Sequence, residues 1–226
     1  MKQMPEENMK TRDKAAIIIN KLRKQYPLAK IELRHANPWE LLVATILSAQ
    51  CTDKRVNIVT QTLFKKYRTL QDYVRADQKE FEQDIRSTGF FRNKAKNILS
   101  TARMIAGEFK GRVPDTMEDL LKLAGVARKT ANIVLFNAFG KQEGIAVDTH
   151  VKRLSQRLGL SKQENTDKIE KDLMSLVPRE LWGQFTYWII EHGRKICIAR
   201  KPRCPECVLQ GECEYFRAQN LGKLST

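Results

Sequence analysis

Apolar residues along the chain recur at helical spacing, in short runs that start and stop on recognisable signals. In "NPWELLVATIL", Asn37 can cap a helix, Pro38 takes its first position and Glu40 falls three residues after the cap, just before the apolar run. Thr69 ("TLQD"), Asp77 ("DQKE") and Thr116 ("TMED") open further segments in the same way, with Leu120, Leu121 and Leu123 as an apolar face after Thr116. Gly89, Gly111 with Pro114, and Gly140 with Gly144 punctuate the segments. "KIELRH" alternates briefly, with Ile31 and Leu33 on one side, but no other segment offers it a partner strand. There is no fixed-period repeat and no low-complexity tract. The pattern predicts an all-α protein of ten or so helices, preceded by a polar segment, "MKQMPEENMK", that is expected to fray.

Composition narrows the partners. A chain of 226 residues, 42% apolar and 30% charged, can bury one large core or two smaller ones. Its net charge of +15 favours an anionic partner, with nucleic acid ahead of an acidic membrane surface or protein. The first apolar run, "AAIII", is too short for a signal peptide or a membrane span, so an intracellular protein is expected.

Four of the five cysteines crowd the C-terminal part: Cys197, Cys204, Cys207 and Cys213, spaced C-x6-C-x2-C-x5-C. Thiolates this close in sequence can surround a metal with little loop-closure cost, whereas a secreted disulfide framework fits an odd cysteine count poorly. Spacing alone leaves a structural zinc and a [4Fe–4S] cluster both open; four unliganded core cysteines are the third and weakest alternative. Cys51, far from the others, reads as a small buried residue. Between the first two cysteines of the group, "IARKPR" carries Arg200, Lys201 and Arg203. A metal-pinned loop would present those charges to a phosphate backbone; a solvated charge run is the plain alternative.

"LAGVARKTANIVL" combines a turn and a helix. Gly125 can take backbone angles closed to other residues, and a helix starting near Ala127 and Arg128 has free amides at its N-terminus that can receive a phosphate. Lys129 lies about one turn inside that helix. A free lysine, with pKa near ~10.4, is almost wholly charged at pH 7, and nucleophilic work needs the neutral amine. The helix dipole, the adjacent Arg128 and any burial would each favour that form, while a phosphate contact or a plain surface charge would need none of them. Nineteen residues on, Asp148 follows the apolar trio of "GIAVDTH" where a helix can start, with Val151 and Leu154 as its buried face. It reads first as an N-cap, and a capped carboxylate is held ionised and aimed.

Taken together, "LLVATILSAQCTD", "STGFFRNKAKNI", "LAGVARKTANIVL", "IAVDTHVKRL" and "HGRKICIARKPRCPEC" resemble the endonuclease III family of DNA glycosylases, from about Trp39 to Tyr215. The resemblance implies an all-α, two-lobed helix-hairpin-helix fold. Residues 31–141 would form a six-helix barrel domain; 1–30 and 142–226 would form an iron–sulfur cluster domain from both chain ends. DNA would lie across the cleft between them. It also implies Lys129 as the catalytic lysine, Asp148 as the catalytic aspartate and the four cysteines as [4Fe–4S] ligands. Gln50 and Phe90 would fill the gap left by an extruded nucleotide, although from the residues alone Gln50 is a helix-end polar group and Phe90 a core aromatic. Gly125, Ala127, Arg200, Lys201 and Arg203 would contact DNA. The implied activity is that of a bifunctional glycosylase and lyase. It removes oxidised pyrimidines through a lysine Schiff base and cleaves 3′ to abasic sites by β-elimination, as a monomer on double-stranded DNA in the cytoplasm or nucleoid.

Two positions depart from the family's usual L-P-G-V-G hairpin. Ala124 stands for the proline and Ala127 for the second glycine, whose added methyl is expected to narrow backbone approach to a phosphate. Three rivals remain. Adenine glycosylases share the cluster but carry a glutamate where this chain has Thr45, usually lack the lysine, and bear an extra domain for which there is no room after Tyr215. A non-catalytic, cluster-stabilised DNA-binding protein would have little use for Asp148. A zinc-stapled interaction domain would be colourless.

Overall fold

In the computed structural model the described residues are 6–223, with side chains described for 10–220. They form twelve α-helices and no strand. These are α1 (Glu6–Gln25), α2 (Pro38–Leu47), α3 (Asp53–Lys66), α4 (Leu70–Arg75), α5 (Gln78–Asp84), α6 (Phe91–Glu108), α7 (Met117–Lys122), α8 (Arg128–Phe139), α9 (Thr149–Arg157), α10 (Thr166–Leu176), α11 (Trp182–Lys195) and α12 (Glu214–Lys223). The fraying expected of "MKQMPEENMK" lies outside the described residues for positions 1–5; from Glu6 onward the segment is already helical.

The predicted caps form. Asn37 Oδ1 accepts from Glu40 N at 2.9 Å, and the Glu40 carboxylate reaches back to Ala36 N at 2.7 Å. Thr69 and Asp72 make a reciprocal capping box, while Asp77 and Thr116 accept from the amides of Glu80 and Asp119. Such caps are each worth about 1 kcal/mol, which matters for helices as short as α4, α5 and α7. Leu121 departs from the expected face: Leu120 and Leu123 are buried, but Leu121 is 41% exposed. "KIELRH" stays irregular because a side chain does the work of a partner strand. Asn57 on α3 donates to Glu32 O and accepts from Arg34 N, both at 2.9 Å.

The chain divides into two compact units. In Ile31–Glu143, every residue of α2 from Leu41 to Leu47 is buried, so this helix is apolar all round and central. It packs against α3, α6 and α8, and α6 in turn receives α4 and α5. Trp39, Tyr67, Tyr73 and Phe81 fill the space beside it, their rings 5.0–5.8 Å apart in mostly edge-on pairs. The other unit joins Met1–Lys30 to Gly144–Thr226. Ile18 and Leu22 of α1 share a core with Val151 and Leu154 of α9, Leu173 of α10, and Phe185 and Ile189 of α11. Lys14–Glu214 at 2.8 Å and Lys21–Glu212 at 2.9 Å fasten α1 to the C-terminal segment. Among the described residues no helix is long and apolar enough to cross a membrane.

Candidate active site

Helix α7 ends in a four-residue turn in which Val126 N donates to Leu123 O at 3.2 Å and Gly125, third in the turn, has φ +77°. This turn requires a positive φ at that position, and a Cβ there would also come within 2.8 Å of Asn97 Nδ2. The Thr101 hydroxyl donates to Ala124 O at 3.0 Å and so fixes the position where a proline would have preset the backbone. Ala127 has φ −96° and ψ 171°, extended backbone open to any residue, so the entry to α8 does not demand a second glycine.

The N-cap residue of α8, Ala127, makes no side-chain cap hydrogen bond to the first turn. Lys129 is the second residue of that helix, within its first turn rather than a full turn inside. It is exposed and has no hydrogen-bond or ion-pair partner among the described residues.

Asp148, in the other unit, is the N-cap of α9. Its Oδ1 accepts from both His150 N and Val151 N at 2.8 Å, while Oδ2 carries no hydrogen bond among the described residues. One oxygen is therefore committed to the helix and the other is left to act. Behind it, burial lowers the pKa of His150, whose Nδ1 accepts from Arg153 Nη2 at 3.1 Å.

Gln50 and Phe90 share an unusual backbone. Both are exposed non-glycine residues in the left-handed region, at φ 51° and 47°. Phe90 is 64% exposed, which overturns its reading as a core aromatic. Its ring is thus held in water on backbone angles that side chains seldom adopt. Cys51 next to Gln50 is only half-buried and packs on the edge of the core.

The four C-terminal cysteines are unpaired and line one small cavity, closed by Leu154, Leu158, Ile196, Tyr215 and Phe216. Among the described residues no three His, Cys, Asp or Glu side chains group as ligands of one metal ion. The sulfurs do have the donors that thiolate ligands need. Arg157 Nη1 donates to Cys197 Sγ at 3.3 Å, Leu209 N to Cys207 Sγ at 3.4 Å and Phe216 N to Cys213 Sγ at 3.4 Å. Burial pushes the Cys207 thiol up to about 11 and raises Cys204 and Cys213, each thiol also feeling its neighbours' charge. Burial lowers His192 to about 4, so the ring is neutral near pH 7. Its Nδ1 shares a hydrogen bond with the Tyr26 hydroxyl at 3.0 Å, and its Nε2 lies 3.3 Å from Cys207 Sγ. Sulfurs lining one cavity and supplied with N–H donors have the chemistry that thiolate ligands of an iron–sulfur group need.

Arg200, Lys201 and Arg203 are all exposed on the loop between Cys197 and Cys204. Two arginines of α9, not evident from the sequence pattern, grip its backbone. Arg153 donates to Cys197 O, and Arg157 donates to Ile198 O and Ala199 O at 2.9 Å while lying over the Tyr215 ring at 4.6 Å. Their i, i+4 spacing on a helix next to the cysteine segment was the available signal.

Comparison with known proteins agrees across sequence and fold. The family described as HhH-GPD superfamily base excision DNA repair protein matches residues 43–179. Endonuclease III of Synechocystis sp. is 54% identical over 207 residues, covering 92% of this chain and 94% of the relative. Two solved structures superpose with TM-score 0.89 at 44% identity. One is a non-covalent endonuclease III–DNA complex, covering 93% of this chain and 98% of its own. The other is a trapped endonuclease III–DNA covalent intermediate, covering 92% and 98%.

Proposed function

Because the chain belongs to the endonuclease III family of HhH-GPD base excision DNA repair proteins, a glycosylase and lyase by that membership, we propose that Lys129 is its nucleophile and Asp148 the carboxylate that serves it. The observation that carries this reading is the free amine of Lys129 in the first turn of α8, directly after the Gly125 turn. The lysine lone pair attacks C1′ of an extruded nucleotide, and the bond to the base breaks with its electrons leaving on the base. Opening of the C1′–O4′ bond gives the iminium. Loss of a C2′ proton then expels the 3′ phosphate. The free Oδ2 of Asp148 stabilises positive charge on the sugar and takes or returns the protons. Oxidised pyrimidines and abasic sites in double-stranded DNA are the substrates this reading implies, for an intracellular monomer associated with DNA. Covalent trapping with borohydride on duplexes holding either lesion tests it. An adenine glycosylase is disfavoured locally: Thr45 spends its hydroxyl on Leu41 O at 2.7 Å inside α2, and no carboxylate stands in its place.

Cys197, Cys204, Cys207 and Cys213 would hold a [4Fe–4S] cluster. Bound there, it supplies a rigid cross-link among the segments that carry them, and no step of the reaction passes through it. Protein purified anaerobically is expected to be yellow-brown with about four irons per chain. Stoichiometric zinc without iron overturns this. Cys204→Ser should lower the melting temperature of the C-terminal unit more than it slows the lysine's attack in single turnover.

The exposed loop makes a separate prediction. Every DNA phosphate that a protein cation neutralises adds about 0.9 to the steepness of log K against log[salt]. Replacing Arg200, Lys201 and Arg203 with Ala together should therefore make the slope shallower by roughly 2 to 3. Lesion and undamaged duplexes should weaken alike. An unchanged slope would mark the loop as an ordinary solvated face.

A further inference from the structure

Lys94 is the one buried lysine among the described residues, and nothing in the chemistry above uses it. It lies on the apolar stripe of α6 with Ala95, Ile98, Leu99, Ala102 and Ile105, where a lysine is costly unless its ammonium is well partnered. Its Nζ donates to Leu47 O and to Thr88 O, each at 2.8 Å. Leu47 closes α2 and Thr88 closes the short 3₁₀ turn Arg86–Thr88, so both acceptors are carbonyls at helical ends. Cations are favoured at helix C-termini, so this placement offsets part of the desolvation that lowers the lysine's pKa.

The two carbonyls stand just before the two left-handed exposed residues. Gln50 comes three positions after Leu47 and Phe90 two positions after Thr88. The main chain adds a third tie, because Lys94 N donates to Phe90 O at 3.1 Å. One buried residue thus holds both loops, and it holds the Phe90 loop twice, by its side chain at Thr88 O and by its backbone amide at Phe90 O.

We propose that Lys94 is a positioning residue that fixes the Gln50 and Phe90 loops relative to one another, so that both side chains enter DNA in register when a nucleotide is extruded. This rests on the reading of Gln50 and Phe90 as gap-filling residues. Without the ammonium, the two loops lose their common anchor and each insert carries its own ordering cost. Lesions that still carry a base suffer most, since their extrusion must overcome stacking and pairing; an abasic sugar has no base to remove.

The test is a double-mutant cycle on the full-length protein, read by single-turnover excision of thymine glycol, by fluorescence of a 2-aminopurine beside the lesion, and by borohydride trapping on an abasic duplex. Lys94→Met should slow excision on the order of 10- to 100-fold, as misplacements near 1 Å do, and blunt the fluorescence rise. Trapping on the abasic duplex should change by less than about 2-fold, well below that range. In a Gln50→Ala, Phe90→Ala background, adding Lys94→Met should cost nothing more. An equal further loss there, or an equal loss on both duplexes, overturns the proposal and makes Lys94 a general stability residue. If Gln50→Ala with Phe90→Ala excises at the wild-type rate, the gap-filling reading itself fails and the proposal with it. Should Lys94→Met lose its cooperative melting transition, Lys94→Gln, whose neutral and shorter side chain cannot span to both carbonyls, takes its place in the same cycle; full excision activity by that variant with a shifted melting point alone would likewise overturn it.

Discussion

Borohydride added to the wild-type protein on a duplex holding thymine glycol or an abasic site is expected to leave a covalent protein–DNA adduct, and Lys129→Gln is expected to leave none. Because Lys129 is exposed and unpartnered among the described residues, removing its amine orphans no buried group, and the fold should change by no more than about 0.5 kcal/mol. A fall in trapping can therefore be assigned to chemistry. Lys129→Arg separates charge from nucleophilicity, since the guanidinium stays protonated in proteins but can still meet a phosphate. If the lysine were a phosphate contact, arginine would restore function and glutamine would weaken binding to every duplex while sparing turnover at saturation. If it is the nucleophile, both variants bind and neither traps, with base release down by on the order of 10³-fold or more. Trapping by Lys129→Gln at saturating DNA would remove the lysine from the mechanism.

The features legible in the sequence are those whose physics is local. Asn37, Thr69, Asp77, Thr116 and Asp148 announce helix starts because a short polar side chain satisfies amides two or three residues away. Gly125 marks a turn because only a positive φ closes it. Leu121 and Phe90 misled for the same reason: hydrophobicity does not state which way a residue faces near the end of a helix. The least legible residues are those whose partners lie far along the chain. Arg157 reaches the sulfur of Cys197 forty residues away, and Lys94 reaches Leu47 across 47. Lys94 did leave a trace, as a lysine four residues before Ile98 on an otherwise apolar stripe. The trace says that something polar must meet it, but only the fold supplies two helix ends.

Asp148 offers the second large effect, because its two oxygens divide between structure and chemistry. Oδ1 takes the amides of His150 and Val151, and Oδ2 is free among the described residues. Asp148→Asn keeps an acceptor for the cap and removes the charge, whereas Asp148→Ser keeps a good cap with neither charge nor reach. Both should melt within about 0.5 kcal/mol of wild type, and Asp148→Ala should lose about 1 kcal/mol as an N-cap does when truncated. Activity should follow a different order. A carboxylate that stabilises a charged sugar and moves protons is worth roughly 10²- to 10⁴-fold, so Asn, Ser and Ala should all release thymine glycol that much more slowly while binding the duplex normally. The three variants thus place stability and rate on separate axes. If the rate tracks the melting point, with Asn and Ser close to wild type and only Ala slow, Asp148 serves as a cap alone and the proton transfers belong to another group.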